Sequence, residues 1–325
     1  MSGFFPGNLW LMYQLQQDEK WKDAAAKWTE ALSDQQYNTG THDVGFIINC
    51  SYGNGLKLTK NDDYAPVIIQ TAQSLMTRYD SVVGCTKSWD WAAEWQFPVI
   101  IDNMMNMELL FEATKLSGDE SFKKAAIHHA KTTMKNHYRE DNSSCHVVDY
   151  NPETGEVLAK VTHQGISDSS AWARGQAWGL YGFTMCYRET GDQEFLDQAE
   201  KIAAFIMNHS KTPDDLVPYW DYDAPGIPNE PRDASAAAII ASALLELSGY
   251  SPVDGDKYYN YGVTILKNLS SDEYLASGGT NNYFLLKHCT GHKPKDSEVN
   301  APLVYGDYYY LEALLRYKEL QAKKE

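Results

Sequence analysis

Two kinds of apolar spacing alternate along the chain. In the first, a turn residue is followed three positions later by an aromatic, and then by a run whose apolar positions recur every three or four residues. Asp18 with Trp21, Asn61 with Tyr64, Asp119 with Phe122, Asp192 with Phe195 and Asp256 with Tyr259 all follow this pattern. The spacing predicts helices packed on one side only. Each is capped by its Asp or Asn, whose side-chain oxygen accepts a free backbone N–H of the first turn. In the second kind, at roughly 7–16, 43–57, 99–116, 169–189, 234–248 and 307–320, apolar residues run most of the way round, as in a helix surrounded by protein. Short links such as Ser117-Gly118 and Thr190-Gly191 join one kind to the other. The alternation predicts an all-α fold of helical hairpins, closed into an (α/α)6 toroid with the apolar helices lining a funnel. An open solenoid of pairs has the same periodicity. The whole of 1–325 reads as a single domain, and six inner runs against five outer ones predict that one outer helix is missing ahead of residue 1.

Two stretches depart from the helical spacing. Residues 144–160 alternate, turn between Asn151-Pro152 and Gly155, and alternate again, which predicts a small β-hairpin beside the mouth. Residues 271–304 show little periodicity and read as a long irregular loop, of a length that is more often functional than idle.

Composition narrows the partners. A formal net charge of −16 opposes nucleic acid and anionic membrane surfaces, and no apolar run is long enough to span a bilayer. Cys50, Cys85, Cys145, Cys186 and Cys289 are odd in number and lack CxxC spacing, so no disulfide framework and no metal site is expected. His128 and His129 are adjacent on an outer helix and face different ways. The sequence does not choose between cytoplasm and periplasm, and the oligomeric state is left open. Nine tryptophans and 22 tyrosines suit sugar stacking as well as a large core.

The chemistry sits in polar residues that are costly inside apolar helices. Asp102 lies in the run VIIDNMMNM, past the Pro98 expected to open its helix and too deep to cap it. A carboxylate there must be paired, protonated or functional. Asp43 follows His42 at the start of another inner helix, with Gly45 on the next turn. Asp168, Asp233 and Asp307 stand where an aspartate is ordinarily a helix cap. In a toroid the inner helices run the same way, so these ends, with His163 and Gln164, meet at one mouth. Trp89, Trp91, Trp95, Trp172, Trp178 and Trp220 are candidate stacking walls. Asp43 and Asp102 facing each other would push their pKa values apart, as acid/base work on a glycoside requires.

The segments THDVGF, WQFPVIIDNMMNMELL, HQGISDSSAWARGQAWGLYGF, RDASAAAIIASALLEL and YGDYYYLEALLR, in this order, resemble the unsaturated glucuronyl hydrolases of glycoside hydrolase family 88, from Gly3 to about Arg316. The resemblance implies an (α/α)6 barrel that removes a terminal 4,5-unsaturated uronic acid from oligosaccharides made by polysaccharide lyases, without a cofactor. It implies hydration of a vinyl ether: C4 is protonated, water adds at C5, and the hemiketal opens to release the remaining sugar. Asp102 matches the family's general acid and base, and Asp43 its partner carboxylate. His163, Gln164, Trp172, Arg174 and Trp178 match positions of its substrate-binding segment. Arg174 suits a uronate carboxylate through a bidentate pair, and His42 or His163 suits ring hydroxyls. The alternatives are the related unsaturated rhamnogalacturonyl hydrolases, an inverting hydrolase acting on a saturated glycan, and a catalytically silent sugar-binding module. Two buried acids argue against the silent module.

Overall fold

Helices form where the two spacings place them, and strands form where β-branched residues interrupt the spacing. The computed structural model describes residues 2–323. They fall into two compact units, one running up to His137 and including Val147–Lys160, the other comprising Tyr138–His146 and the chain from Val161 onward.

The first unit contains α1 (Phe4–Gln16), α2 (Glu19–Glu30), α3 (Val44–Ile48), α4 (Asn54–Thr59), α5 (Tyr64–Met76), β1 (Tyr79–Asp80), β2 (Cys85–Thr86), β3 (Pro98–Ile100), α6 (Met107–Ser117), α7 (Glu120–His137), β4 (Val147–Tyr150) and β5 (Val157–Val161). The run expected at 43–57 is α3 and α4 joined by a π-helical turn at Asn49–Gly53, an irregularity frequent near functional sites. Antiparallel hairpins close through side chains: the Trp10 indole N–H donates to Thr29 Oγ1 at 2.9 Å, holding α1 on α2. On the α6–α7 pair, Lys123 N donates to Thr114 Oγ1 at 3.0 Å.

The second unit contains α8 (Ala173–Thr190), α9 (Gln193–Asn208), α10 (Ala234–Leu247), α11 (Gly255–Leu269), β6 (Cys289–His292), β7 (Ser297–Ala301) and α12 (Val304–Ala322). α10, ASAAAIIASALLEL, is its centre, packed by α8, α11 and α12. Its alanines and serines let these neighbours approach closely. Its Ile239, Ile240, Leu244 and Leu245 are buried, each contributing about 1.5–3 kcal/mol.

Gly118 and Gly191 end α6 and α8 in the left-handed conformation (φ 76° and 69°), where glycine has no Cβ to clash. Asp18, Asp119 and Asp192 accept the backbone N–H two residues on, as the capping pattern predicts. Asn61 accepts from Asp63 N ahead of α5, and Asp256 lies inside α11, whose N-cap is Asp254.

Three expectations change. Pro98 opens β3, not a helix. Val99 and Ile100 pair antiparallel with Val148 and Val147, so the hairpin expected at 144–160 gains a third strand in the order β3-β4-β5. β-branched residues with a strand partner favour extended backbone over the helix that periodicity alone suggests. The stretch 271–304 is not wholly irregular either: β6 and β7 form a hairpin whose register shifts at Cys289/Thr290, which hides its alternation in the sequence. Finally, Asp168 and Asp307 are not helix caps. Asp168 accepts Thr162 N at 2.8 Å in the loop before α8. Asp307 lies within α12 and accepts Leu285 N and Leu286 N, both at 2.9 Å, and burial pushes its carboxyl up to about 6. Asp233 does cap α10, through Ser235 N and Ala236 N.

Candidate active site

In the first unit, the chain leaves β3 directly into a 3-10 helix, Ile101–Asn106, with Asp102 in its first turn. Asp102 therefore stands where a strand hands over to a helix, not deep within one. α3 lies against this element. A Cβ on Gly45 would sit 2.5 Å from Asn106 Oδ1, so only glycine permits the approach, and Phe46 N donates to Asn106 Oδ1 at 2.9 Å. Asp43, the residue before α3, is half-buried and makes no capping bond, which leaves its carboxylate for other work. His42 beside it is only 1% exposed, with Nε2 3.4 Å from Asp43 Oδ1 and Nδ1 3.5 Å from Asn106 Nδ2. The contact to a ring hydroxyl envisaged for His42 is thus excluded in this conformation, because the ring is covered by protein.

Between Ser88 and Pro98 the chain makes a loop closed at its base by Ser88 N donating to Pro98 O (2.8 Å) and Ile100 N to Ser88 Oγ (3.0 Å). It carries three indoles in contact, Trp89 stacked on Trp95 (5.6 Å between ring centroids) and tilted against Trp91 (4.9 Å). Trp91 is 59% exposed, an aromatic surface of the kind that sugars stack on. Asp90 anchors this loop by a 2.7 Å ion pair to Arg78, whose guanidinium also donates to Lys87 O and Thr39 O. The loop returns through β3 to Asp102, so the indoles and the acid share one stretch of chain.

Two buried histidines hold this framework. His129 Nδ1 accepts Thr86 N at 3.2 Å, and His137 Nε2 donates to Val99 O at 3.0 Å. Burial, aided by His137, His42 and His128, lowers His129 to about 3, and burial lowers His137 to about 4. Both folded-state values lie below the unfolded value, so between these values and about pH 6.5 the unfolded chain binds more protons. The stability they contribute is complete above pH 6.5 and is lost as pH falls toward 4 and then 3, by about 1.4 kcal/mol per pH unit for each histidine. Urea midpoints are expected to drop from pH 7 to pH 5, and less steeply in His129→Gln. A flat profile would show that neither ring is held neutral.

In the second unit, WARGQAW supplies the start of α8. Arg174 is 3% exposed and already occupied: its guanidinium donates to Asp233 Oδ2 (2.7 Å), Thr290 O (2.5 Å) and Gly291 O (2.6 Å), and lies over the Trp172 and Tyr305 rings at 4.5 and 5.4 Å. The bidentate role for a uronate carboxylate is taken up internally, because one buried arginine clamps the α10 N-terminus to β6. Trp172 is 3% exposed, with the Arg174 guanidinium over its ring and the His146 ring 4.5 Å away, so it offers little surface to a sugar. Trp178 packs edge-on against Tyr309, and Trp220 gives its N–H to Glu230; both are buried.

Gln164 and His163 are better placed for contact with a ligand. Their backbone N–H groups donate to His146 Nδ1 at 3.0 and 3.1 Å, and Gln164 Nε2 donates to Gly291 O. The His163 ring lies edge-on to His292, with Lys295 Nζ 3.4 Å from Nε2. His146, His292 and Lys295 escape sequence reasoning, since each sits in or beside a short strand without periodicity. Asn103 and Asn106 were legible in principle, being three apart in IDNMMN.

A helical scaffold that presents two carboxylates at adjoining helix starts, with a ladder of indoles leading into one of them, is the equipment of a glycoside hydrolase. The chain belongs to Glycosyl Hydrolase Family 88, whose model matches residues 2–311, and is a glycosidase of the unsaturated glucuronyl hydrolase type. An unsaturated glucuronyl hydrolase of Formosa agariphila is 49% identical over 99% of this chain and 80% of its own length. A solved unsaturated glucuronyl hydrolase specific for heparin is 51% identical, with a TM-score of 0.97 over 99% of this chain and 86% of that one. A mutant of the Streptococcus agalactiae enzyme complexed with dGlcA-GalNAc6S is 32% identical, with a TM-score of 0.81 over 98% of this chain and 80% of that one. The fold class expected from the sequence, a toroid of helical hairpins, is the helical toroid of these solved structures. Among the described residues no helix is long and apolar enough to cross a membrane.

Proposed function

We propose that this enzyme removes the terminal 4,5-unsaturated uronic acid from lyase-generated glycosaminoglycan fragments, with heparin-type disaccharides as its preferred class. The observation that carries this reading is the pairing of α3 with the 3-10 helix through Gly45, Phe46 and Asn106, which presents Asp43 and Asp102 from adjoining elements. The preference among parent polysaccharides rests on the likeness to the heparin-specific structure, 51% identical against 32% for the one holding dGlcA-GalNAc6S.

Asp102 is assigned proton transfer. As an acid it gives a proton to C4 of the unsaturated ring while a water adds at C5, and the water's proton returns to the carboxylate. The hemiketal then opens and expels the remaining sugar. Asp43 is assigned the partner carboxylate that orients Asp102 and substrate, and the Trp89–Trp91–Trp95 ladder a stacking surface for the sugar. His163 and Gln164, whose backbone His146 fixes, are assigned polar contacts with substrate. Trp172, Arg174 and Trp178 are assigned the support of that segment and not direct contact.

The test follows the ultraviolet band of the conjugated C4=C5 bond with unsaturated disaccharides from heparin, chondroitin and hyaluronan. Decay is expected, fastest for the heparin type. Equal rates for all three would reject the preference, and no decay with folded protein would reject the activity.

A further inference from the structure

Asp43 has a neighbour whose position no substrate contact explains. His42 is buried, yet its two ring nitrogens face polar atoms on two different elements. Burial lowers its pKa, with Asp43 and a hydrogen bond to the Asn103 side chain opposing the fall and Arg78 adding to it. The ring is therefore uncharged near neutrality, and the question becomes which nitrogen carries the proton.

The surrounding hydrogen bonds answer it in sequence. The Phe46 backbone N–H can only donate, so Asn106 must present Oδ1 to it, at 2.9 Å. This fixes the Asn106 amide and turns Nδ2, a donor, toward His42 Nδ1, at 3.5 Å. Nδ1 must then be the acceptor, which leaves the proton on Nε2, 3.4 Å from Asp43 Oδ1. The Nδ1 contact is at the long end of the hydrogen-bond range, and the approach of Nε2 to Asp43 is an ion-pair distance not yet aligned as a hydrogen bond, as catalytic contacts commonly are before substrate tightens them. The 3-10 helix completes the cradle: residues three apart eclipse one another in it, so Asn103 and Asn106 stand on the same face. Asn103 is itself fixed by donating Nδ2 to Thr86 O at 2.6 Å.

We propose that His42 is a positioning residue for Asp43: Asn106 holds it as the Nε2–H tautomer, and it donates that proton as a hydrogen bond to the Asp43 carboxylate. The chain of orientation runs from a backbone amide of α3 through Asn106 to His42 and ends on Asp43. It couples the element bearing Asp102 to the element bearing Asp43, so that one cannot shift without disturbing the other. This inference rests on the assignment of Asp43 to the active site, but its first test does not require turnover.

That test is nitrogen-15 NMR of the histidine rings at neutral pH, the His42 signals being those that vanish in His42→Gln. The expected pattern is a protonated Nε2 and a bare Nδ1. A protonated Nδ1, or an imidazolium, overturns the proposal whatever the substrate proves to be. The second test is kinetic, on unsaturated disaccharide. His42→Ala is expected to lower kcat by about 10- to 100-fold with KM within about twofold, because positioning acts on the reacting geometry and not on affinity. His42→Gln, which returns an N–H donor near the place of Nε2, is expected to recover several-fold in kcat, and Asn106→Asp, which replaces the donor facing Nδ1 by an acceptor, to lose about tenfold. A rise in KM at unchanged kcat would make His42 a substrate contact. A Gln variant no better than Ala would leave the residue structural. Should the alanine variant fail to fold, the NMR pattern and the glutamine and aspartate variants decide. Decay of the double bond with wild type in the same assay separates failure of this proposal from failure of the assigned activity.

Discussion

Asp102→Asn is expected to lower turnover of unsaturated uronides by about 10³-fold or more while leaving the fold intact, since loss of a positioned acid and base removes about 4 kcal/mol of transition-state stabilisation. The substitution keeps the size of the side chain, and Asp102 lies at the strand-to-helix junction. Parallel assays by ultraviolet decay and thermal melting check both halves. Activity within tenfold of wild type would remove Asp102 from the chemistry. A large drop in melting temperature would recast it as a structural acid.

Arg174→Ala is expected to cost about 3–5 kcal/mol of stability, the range for removing one partner of a buried ion pair. Asp233 is 0% exposed and would lose the cation paired with it, and the carbonyls of Thr290 and Gly291 would each lose a donor. Because Asp233 also caps α10 and accepts Thr290 N at 3.3 Å, the loosening would spread to β6 and to the Gln164 contact on Gly291. Arg174→Lys is expected to retain part of this, a point charge replacing a fork that serves three acceptors. Urea denaturation measures the loss. Wild-type stability with a sharply raised KM would return Arg174 to the role of reading the uronate carboxylate.

These two residues show where sequence reasoning holds and where it stops. Asp102 stood out because a carboxylate inside VIIDNMMNM is costly, and that anomaly survives the change of its surroundings from mid-helix to the first turn of a 3-10 helix. Arg174 stood out through its motif, and the natural inference from residue type was an anionic ligand. The anion it meets is Asp233, 59 residues away, with two carbonyls more than a hundred residues away. No spacing within WARGQAW could reveal that the charge is neutralised from within.

Local patterns therefore fixed what depends on near neighbours. The one-sided and all-round apolar spacings placed the helices, the glycines at 118 and 191 ended two of them, and Asp18, Asp119 and Asp192 began others, because capping and amphipathic burial act over a few residues. The resemblance of five ordered segments named the family. The tertiary structure alone decided that Pro98–Ile100 is a strand, since its partner lies at Val147–Tyr150, and that His42 is covered and aimed at Asp43 while His146 holds His163 and Gln164. Strand pairing, burial of a charge and the tautomer of a histidine are set by atoms brought together from distant parts of the chain, and such contacts leave no period in the sequence.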